Sequence, residues 1–136
     1  MRVLDIDRVA ILTGDISESI NKWSDYLDLE FERINEGEAG EPIETTYSHP
    51  GIEFLSPRTD EGVLSERLEE GGPGMHALVL RVADIDEAKA ELEEKGVEPI
   101  MEGGEEGETK TAFYSPRDFD GVLLELTEYP HPMDRE

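Results

Sequence analysis

The sequence predicts an α+β protein made of two βαβββ modules that form one pseudo-symmetric domain. Three observations carry the prediction. First, the chain repeats itself: Arg8-Val9-Ala10-Ile11-Leu12-Thr13-Gly14-Asp15-Ile16-Ser17-Glu18 aligns with Ala77-Leu78-Val79-Leu80-Arg81-Val82-Ala83-Asp84-Ile85-Asp86-Glu87, and both 77 − 8 and 84 − 15 equal 69. Second, each copy reads as a strand, a turn and a helix opened by an acidic cap. Third, each copy is followed later by a strand with an acid among apolar residues, Gly51-Ile52-Glu53-Phe54-Leu55 and Leu123-Leu124-Glu125-Leu126-Thr127. A repeat of this size is the mark of duplicated supersecondary units that share a core.

The elements follow in order. Residues 3–12 read as a strand with Arg8, Ala10 and Leu12 on one face and Val9 and Ile11 on the other. Asp15 caps a helix, with Glu18 completing a capping box, and Ile16, Ile20, Trp23 and Leu27 form its apolar stripe. Residues 30–34 are expected as a strand and 35–42, rich in Gly and Glu, as a loop. Residues 43–48 and 52–55 make a hairpin around His49-Pro50-Gly51. A short helix over 63–70 stops at Gly71-Gly72-Pro73-Gly74. The second copy follows the same plan. It has a strand over 75–82, then a helix capped by Asp84 that buries Ile85, Ala88 and Leu92 and ends at Gly96. Strands over 97–101, 109–115 and 121–128 complete it. The expected organisation is a single domain over 1–136, with module one near 3–57, a linker over 58–73, module two near 74–128 and a polar tail over 129–136.

Each module alone is near the lower size limit for an independent core, so the two are expected to share one. The chain has no cysteine, which removes disulfides and thiolate chemistry. Acids number 35 against 12 bases, a net charge of −23, and they are spread evenly along the chain. Such a surface suits high salt, where self-repulsion is screened; four lysines beside eight arginines agree with a halophilic reading. The composition offers no basic face for nucleic acid. No apolar run approaches membrane-spanning length, and acids enter too early for a secretory segment, so a cytoplasmic location is expected.

Taken together, the segments Ile6-Asp7-Arg8-Val9-Ala10-Ile11, Ile52-Glu53-Phe54-Leu55-Ser56-Pro57, Gly74-Met75-His76-Ala77-Leu78, Phe113-Tyr114-Ser115-Pro116-Arg117-Asp118 and Gly121-Val122-Leu123-Leu124-Glu125-Leu126 resemble the vicinal oxygen chelate superfamily. That group includes glyoxalase I, extradiol dioxygenases, methylmalonyl-CoA epimerase and bleomycin-resistance proteins. The resemblance spans about residues 6–128 and is closest to the epimerase-like branch; it implies that the modules form a half-open barrel. In metal-binding members a His, a Glu or Gln, a second His and a Glu hold a divalent cation. By position these fall on Arg8, Glu53, Ala77 and Glu125. Both carboxylates are kept and both imidazoles are gone. The offset of 69 pairs Arg8 with Ala77, not with His76, which supports the same register.

Two carboxylates are a poor site for zinc, nickel, cobalt or iron, and a guanidinium adds a fixed positive charge where the cation would sit. The expectation is therefore a cluster in which Arg8 replaces the metal between Glu53 and Glu125, against the plainer reading of a solvated strand-end Arg8 paired with Asp5 or Asp7. Arg81, on the face of Ala77, is expected either to meet an anionic ligand or to form a rim salt bridge. Tyr47 and Tyr114 are candidate aromatic walls against a default of core packing. His76 reads as structural, His49 and His131 as surface residues, and Glu41 and Glu44 as weak candidates for a further acid. The leading expectation for function is a glyoxalase-like, bleomycin resistance-like protein that binds a small organic molecule without metal or other cofactor, as a homodimer. The alternative is an epimerase or lyase acting on an acyl-CoA or 2-oxo substrate with Glu53 or Glu125 as base, and divalent metal is the alternative cofactor.

Overall fold

The computed structural model describes residues 1–36 and 43–131. The elements are β1 (Val3–Leu12), α1 (Ile16–Leu27), β2 (Ile43–Ser48), β3 (Ile52–Pro57), α2 (Val63–Gly71), β4 (Gly74–Val82), α3 (Ile85–Glu94), β5 (Met101–Gly103), β6 (Lys110–Tyr114) and β7 (Leu123–Glu128). This is the α+β class expected. The chain divides into two compact units, Met1–Arg8 with Ala77–Glu136, and Val9–His76.

In the second of these units, β1 runs parallel to β3 and β3 antiparallel to β2. Asp15 opens α1 as the sequence predicts: its carboxylate accepts the Glu18 amide at 3.0 Å. Of the stripe, Ile16 is buried, while Leu27 is 58% exposed at the helix end. Phe54, 1% exposed, centres an aromatic cluster. Trp23 meets it edge-on at 5.1 Å and Phe31 stacks on it at 5.2 Å. Residues 30–34 are not a regular strand. They run beside β2 through Glu32 N–H to Tyr47 O (2.8 Å) and an isolated Asn35–Thr45 bridge. Here Thr46 and Ser48 hydroxyls donate to the Glu32 and Glu30 carbonyls, so side chains take over part of the ladder.

In the other unit, β4 and β7 are parallel, β7 pairs antiparallel with β6, and β6 with β5. The N-terminal end of β1 joins through Ala83 N–H to Arg2 O (3.1 Å). Val82, Ile85, Ala88, Ala112, Tyr114, Leu124 and Leu126 form the core beneath α3. Asp84 caps α3 by accepting the Glu87 amide (3.1 Å), and Glu128 at the end of β7 accepts the Ile85 amide (2.8 Å). The strand expected over 97–101 is displaced to Met101–Gly103, because Val97 N–H is spent on Leu92 O at the helix end.

The repeat is structural as well as sequential. The caps Asp15 (φ −145°, ψ 98°) and Asp84 (φ −147°, ψ 106°) have nearly the same backbone conformation. In the ladders, Glu53 stands opposite Ala10, and Glu125 stands opposite Val79, the residue 69 positions on.

Candidate functional site

The polar site of the first unit is built on β1, β4, β7 and the residue after β7. Residues opposed in a ladder share a face. Val79 opposite Glu125 and Arg81 opposite Thr127 therefore put Ala77, Val79, Arg81, Glu125 and Thr127 on one side. The other side packs Leu124 and Leu126 into the core. Glu125 is 7% exposed, a depth at which a carboxylate requires a partner.

Arg8 supplies one. Its Nη2 lies 3.8 Å from Glu125 Oε2, while its Nη1 donates to Asp7 Oδ2 at 2.5 Å and to the Tyr129 hydroxyl at 3.3 Å. The Tyr129 hydroxyl in turn donates to Asp7 Oδ2 at 2.7 Å. Asp7 is 3% exposed and Tyr129 8%. Arg8 thus has Asp7 and Glu125 among its partners, as a guanidinium with several donors can.

Asp7 escapes a reading by alternation, which sends it to the face opposite Arg8. Along β1 the buried positions are 7, 10 and 12. Burial along this strand therefore passes from the face of Asp7 to the face of Ala10 and Leu12, so one alternating pattern does not describe its whole length. Tyr129 lies in the segment expected as a polar tail. The signal for both was present in retrospect: an acid inside an apolar strand and an aromatic directly after β7 each demand a buried partner.

Arg81 forms a salt bridge. Its Nε and Nη2 donate to the two Asp5 oxygens at 3.2 and 2.8 Å, a bidentate pair. That bonding, with Asp7 and Tyr129 nearby, raises the Arg81 pKa against the opposing effect of desolvation. Tyr114 is a correction. It is fully buried in the core with Ala112 and Leu124 and contacts Phe119 edge-on. Its register partner is Leu124, whereas Phe113 stands opposite Glu125. Tyr114 thus takes the default of core packing, on the face away from Glu125. Burial raises the Tyr114 hydroxyl pKa above its ordinary value. Ala77 is 5% exposed and presents only a methyl group.

In the other unit, Glu53 and Tyr47 oppose one another across β2 and β3, and Tyr47 packs edge-on to His49 at 5.1 Å. Glu44 is half-buried at the start of β2, and Glu41 lies outside the described residues. His76 has a buried Nδ1 with no hydrogen-bond partner, and burial, aided by Arg67, lowers its pKa to about 4. It is kept neutral.

The donor set does not fit a divalent metal. A guanidinium has no lone pair to offer and Ala77 has no donor. Among the described residues no group of three or more His, Cys, Asp or Glu is arranged to hold a metal ion. Likewise, no helix among them is long and apolar enough to cross a membrane.

Comparison with known proteins adds three findings. A profile described as the Glyoxalase/Bleomycin resistance protein/Dioxygenase superfamily matches residues 5–126. The protein YqjC of Bacillus subtilis (strain 168) is 26% identical over 131 residues, 90% of this chain and 91% of that protein. Among solved structures, methylmalonyl-CoA epimerase from Mycobacterium tuberculosis is similar with a TM-score of 0.82 and 27% identity, over 96% of this chain and 90% of that one. A Streptomyces coelicolor methylmalonyl-CoA epimerase solved with 2-nitronate-propionyl-CoA shares the fold with a TM-score of 0.83 at 19% identity, over 96% and 100% of the two chains.

Proposed function

Because this chain belongs to the glyoxalase/bleomycin resistance/dioxygenase superfamily, we propose that it binds a small organic molecule without a divalent metal, with Arg8 as the polar anchor beside Glu125. The observation that carries the proposal is the 3.8 Å approach of the Arg8 guanidinium to Glu125. The resemblance assigns that carboxylate to a metal, and here a fixed organic cation stands beside it. A guanidinium can hold a carbonyl or hydroxyl oxygen by directed N–H donation, which is recognition by hydrogen bonding and not by coordination. The positions of Glu53 and Tyr47 make them candidates for ligand contact in their own unit.

Elemental analysis of protein purified without chelator tests this reading. The expected result is divalent metal far below one equivalent. Near-stoichiometric metal that is lost on Glu125→Gln would overturn it.

The similarity to an epimerase at 27% identity favours a second reading, in which Glu125 removes a proton next to a thioester carbonyl and Arg8 steadies the enolate oxygen. Incubation with methylmalonyl-CoA in deuterated water decides between the two. Exchange at the α-carbon that disappears in Glu125→Gln would establish the enzyme, and no exchange leaves the binding reading.

A further inference from the structure

The unit Val9–His76 carries two depressions that share Leu12, Pro73 and Gly74 and therefore run together along the turn into β4. They measure about 460 and 370 Å³, within the range of small-molecule sites, about 300–1,000 Å³. The larger has a rigid aromatic wall: Trp23 is edge-on to Phe54, which is buried and stacked on Phe31. The same lining carries the Thr13 and Ser19 hydroxyls, joined by a mutual 2.7 Å hydrogen bond.

Charge points to the kind of ligand. Lys22, which lines this depression from α1, has no carboxylate within ion-pair distance among the described residues. Nor has Arg67, which lines the adjoining one from α2. Three acids share the lining, Asp15, Glu18 and Glu70. Of these, Asp15 has its carboxylate turned to the Glu18 amide as the helix cap. The combination is an apolar aromatic slot, two oriented hydroxyls and an unpaired ammonium.

We propose that this groove is a second binding site, separate from the Arg8–Glu125 cluster, for a small carboxylate with an aromatic-sized apolar body. The body lies against Trp23, which the buried Phe54 backs, and the carboxylate meets Lys22. Thr13 and Ser19 supply hydroxyl contacts along the edge.

The chain contains one tryptophan, so the indole N–H gives a single resonance that reports on this wall without assignment. The full chain, labelled with nitrogen-15, is titrated at constant ionic strength with phenylacetate, 2-phenylethanol and 2-phenylethylamine. Phenylacetate should shift the indole resonance saturably and bind about three- to fivefold more tightly than the alcohol, the factor expected of one partly exposed ion pair. The amine should be weakest. Lys22→Glu should remove the preference for the acid, and Lys95→Glu, the same charge change in the other unit, should leave it intact. No saturable indole shift with phenylacetate, or amine binding as tight as the acid's, overturns the proposal.

Discussion

The Tyr129 hydroxyl donates to the Asp7 carboxylate at 2.7 Å, joining residues 122 positions apart and fixing the acid that holds Arg8. Removing this one donor with Tyr129→Phe should cost about 1–3 kcal/mol, because the acceptor it leaves behind is a buried charge. Urea unfolding of the variant beside wild type, both in molar salt, measures the loss. A change within about 0.5 kcal/mol would mean that Asp7 is satisfied by other means.

Arg8→Met takes the cation from between Asp7 and Glu125. Breaking one side of a buried pair typically costs about 3–5 kcal/mol, against about 0–1 for an exposed bridge. With two carboxylates facing one another, proton uptake by one of them relieves the repulsion. The variant should therefore lose least stability near pH 5 and most near pH 8, and Asp7→Asn should partly rescue it. Arg117→Met, at an exposed position, should remain within about 0.5 kcal/mol of wild type. Equal behaviour of Arg8→Met and Arg117→Met would remove Arg8 from the site.

Arg8→His with Ala77→His would place two imidazoles beside Glu125 in the first unit. Nitrogen and oxygen donors together suit zinc or nickel, where the present set does not. Calorimetry should show divalent-metal binding in the double variant and none in wild type. Failure to gain it would mean that positions 8 and 77 do not converge on Glu125.

His76 gives a pH dependence of definite sign. Its pKa falls from 6.5 in the unfolded chain to about 4 in the folded protein. The unfolded form therefore takes up a proton first as pH drops. The contribution to stability is intact above 6.5 and is lost progressively between 6.5 and 4. His76→Gln should flatten this part of the stability profile, and the imidazole carbon-bound protons should titrate near the lower value.

Two glycines with the same dihedral separate backbone strain from steric conflict. Gly104 and Gly107 both have φ +87°, but a Cβ at Gly104 would lie 2.1 Å from the Thr109 carbonyl oxygen, while one at Gly107 meets nothing within 4 Å. Gly107→Ala should cost about 1–2 kcal/mol for the left-handed conformation alone. Gly104→Ala should cost clearly more, read as a lower melting temperature.

Much of this architecture was legible because its signals are local. The strand Val3–Leu12, the caps Asp15 and Asp84 and the hairpin at His49-Pro50-Gly51 are each specified by neighbouring residues. Arg8 beside Glu125 was legible through the family resemblance, whose register the repeat supports. Asp7 was foreseen only as a surface partner of Arg8, because nothing local shows that it is buried, and Tyr129 was missed because the end of β7 does not announce itself. Tyr114 is a core residue, the default for an aromatic in a strand, because its face is the one packed beneath α3. The salt-adapted reading of the charge remains a matter of solution behaviour: the melting temperature should climb with KCl as the Debye length shrinks from about 10 Å at 0.1 M to about 3 Å at 1 M.

The matched caps bear on the order of events in folding. Each is completed within four residues of chain, Asp15 to Glu18 and Asp84 to Glu87, and neither needs a distant partner. Starting a helix is the costly step in its formation, and a cap lowers that cost. Both halves thus carry their own nucleation signal, while closing the link between Asp7 and Tyr129 must wait for a loop of more than a hundred residues to be drawn in. The helices α1 and α3 should gain structure early and independently, and the assembly of the Arg8 cluster should belong to the late, slow part of the reaction.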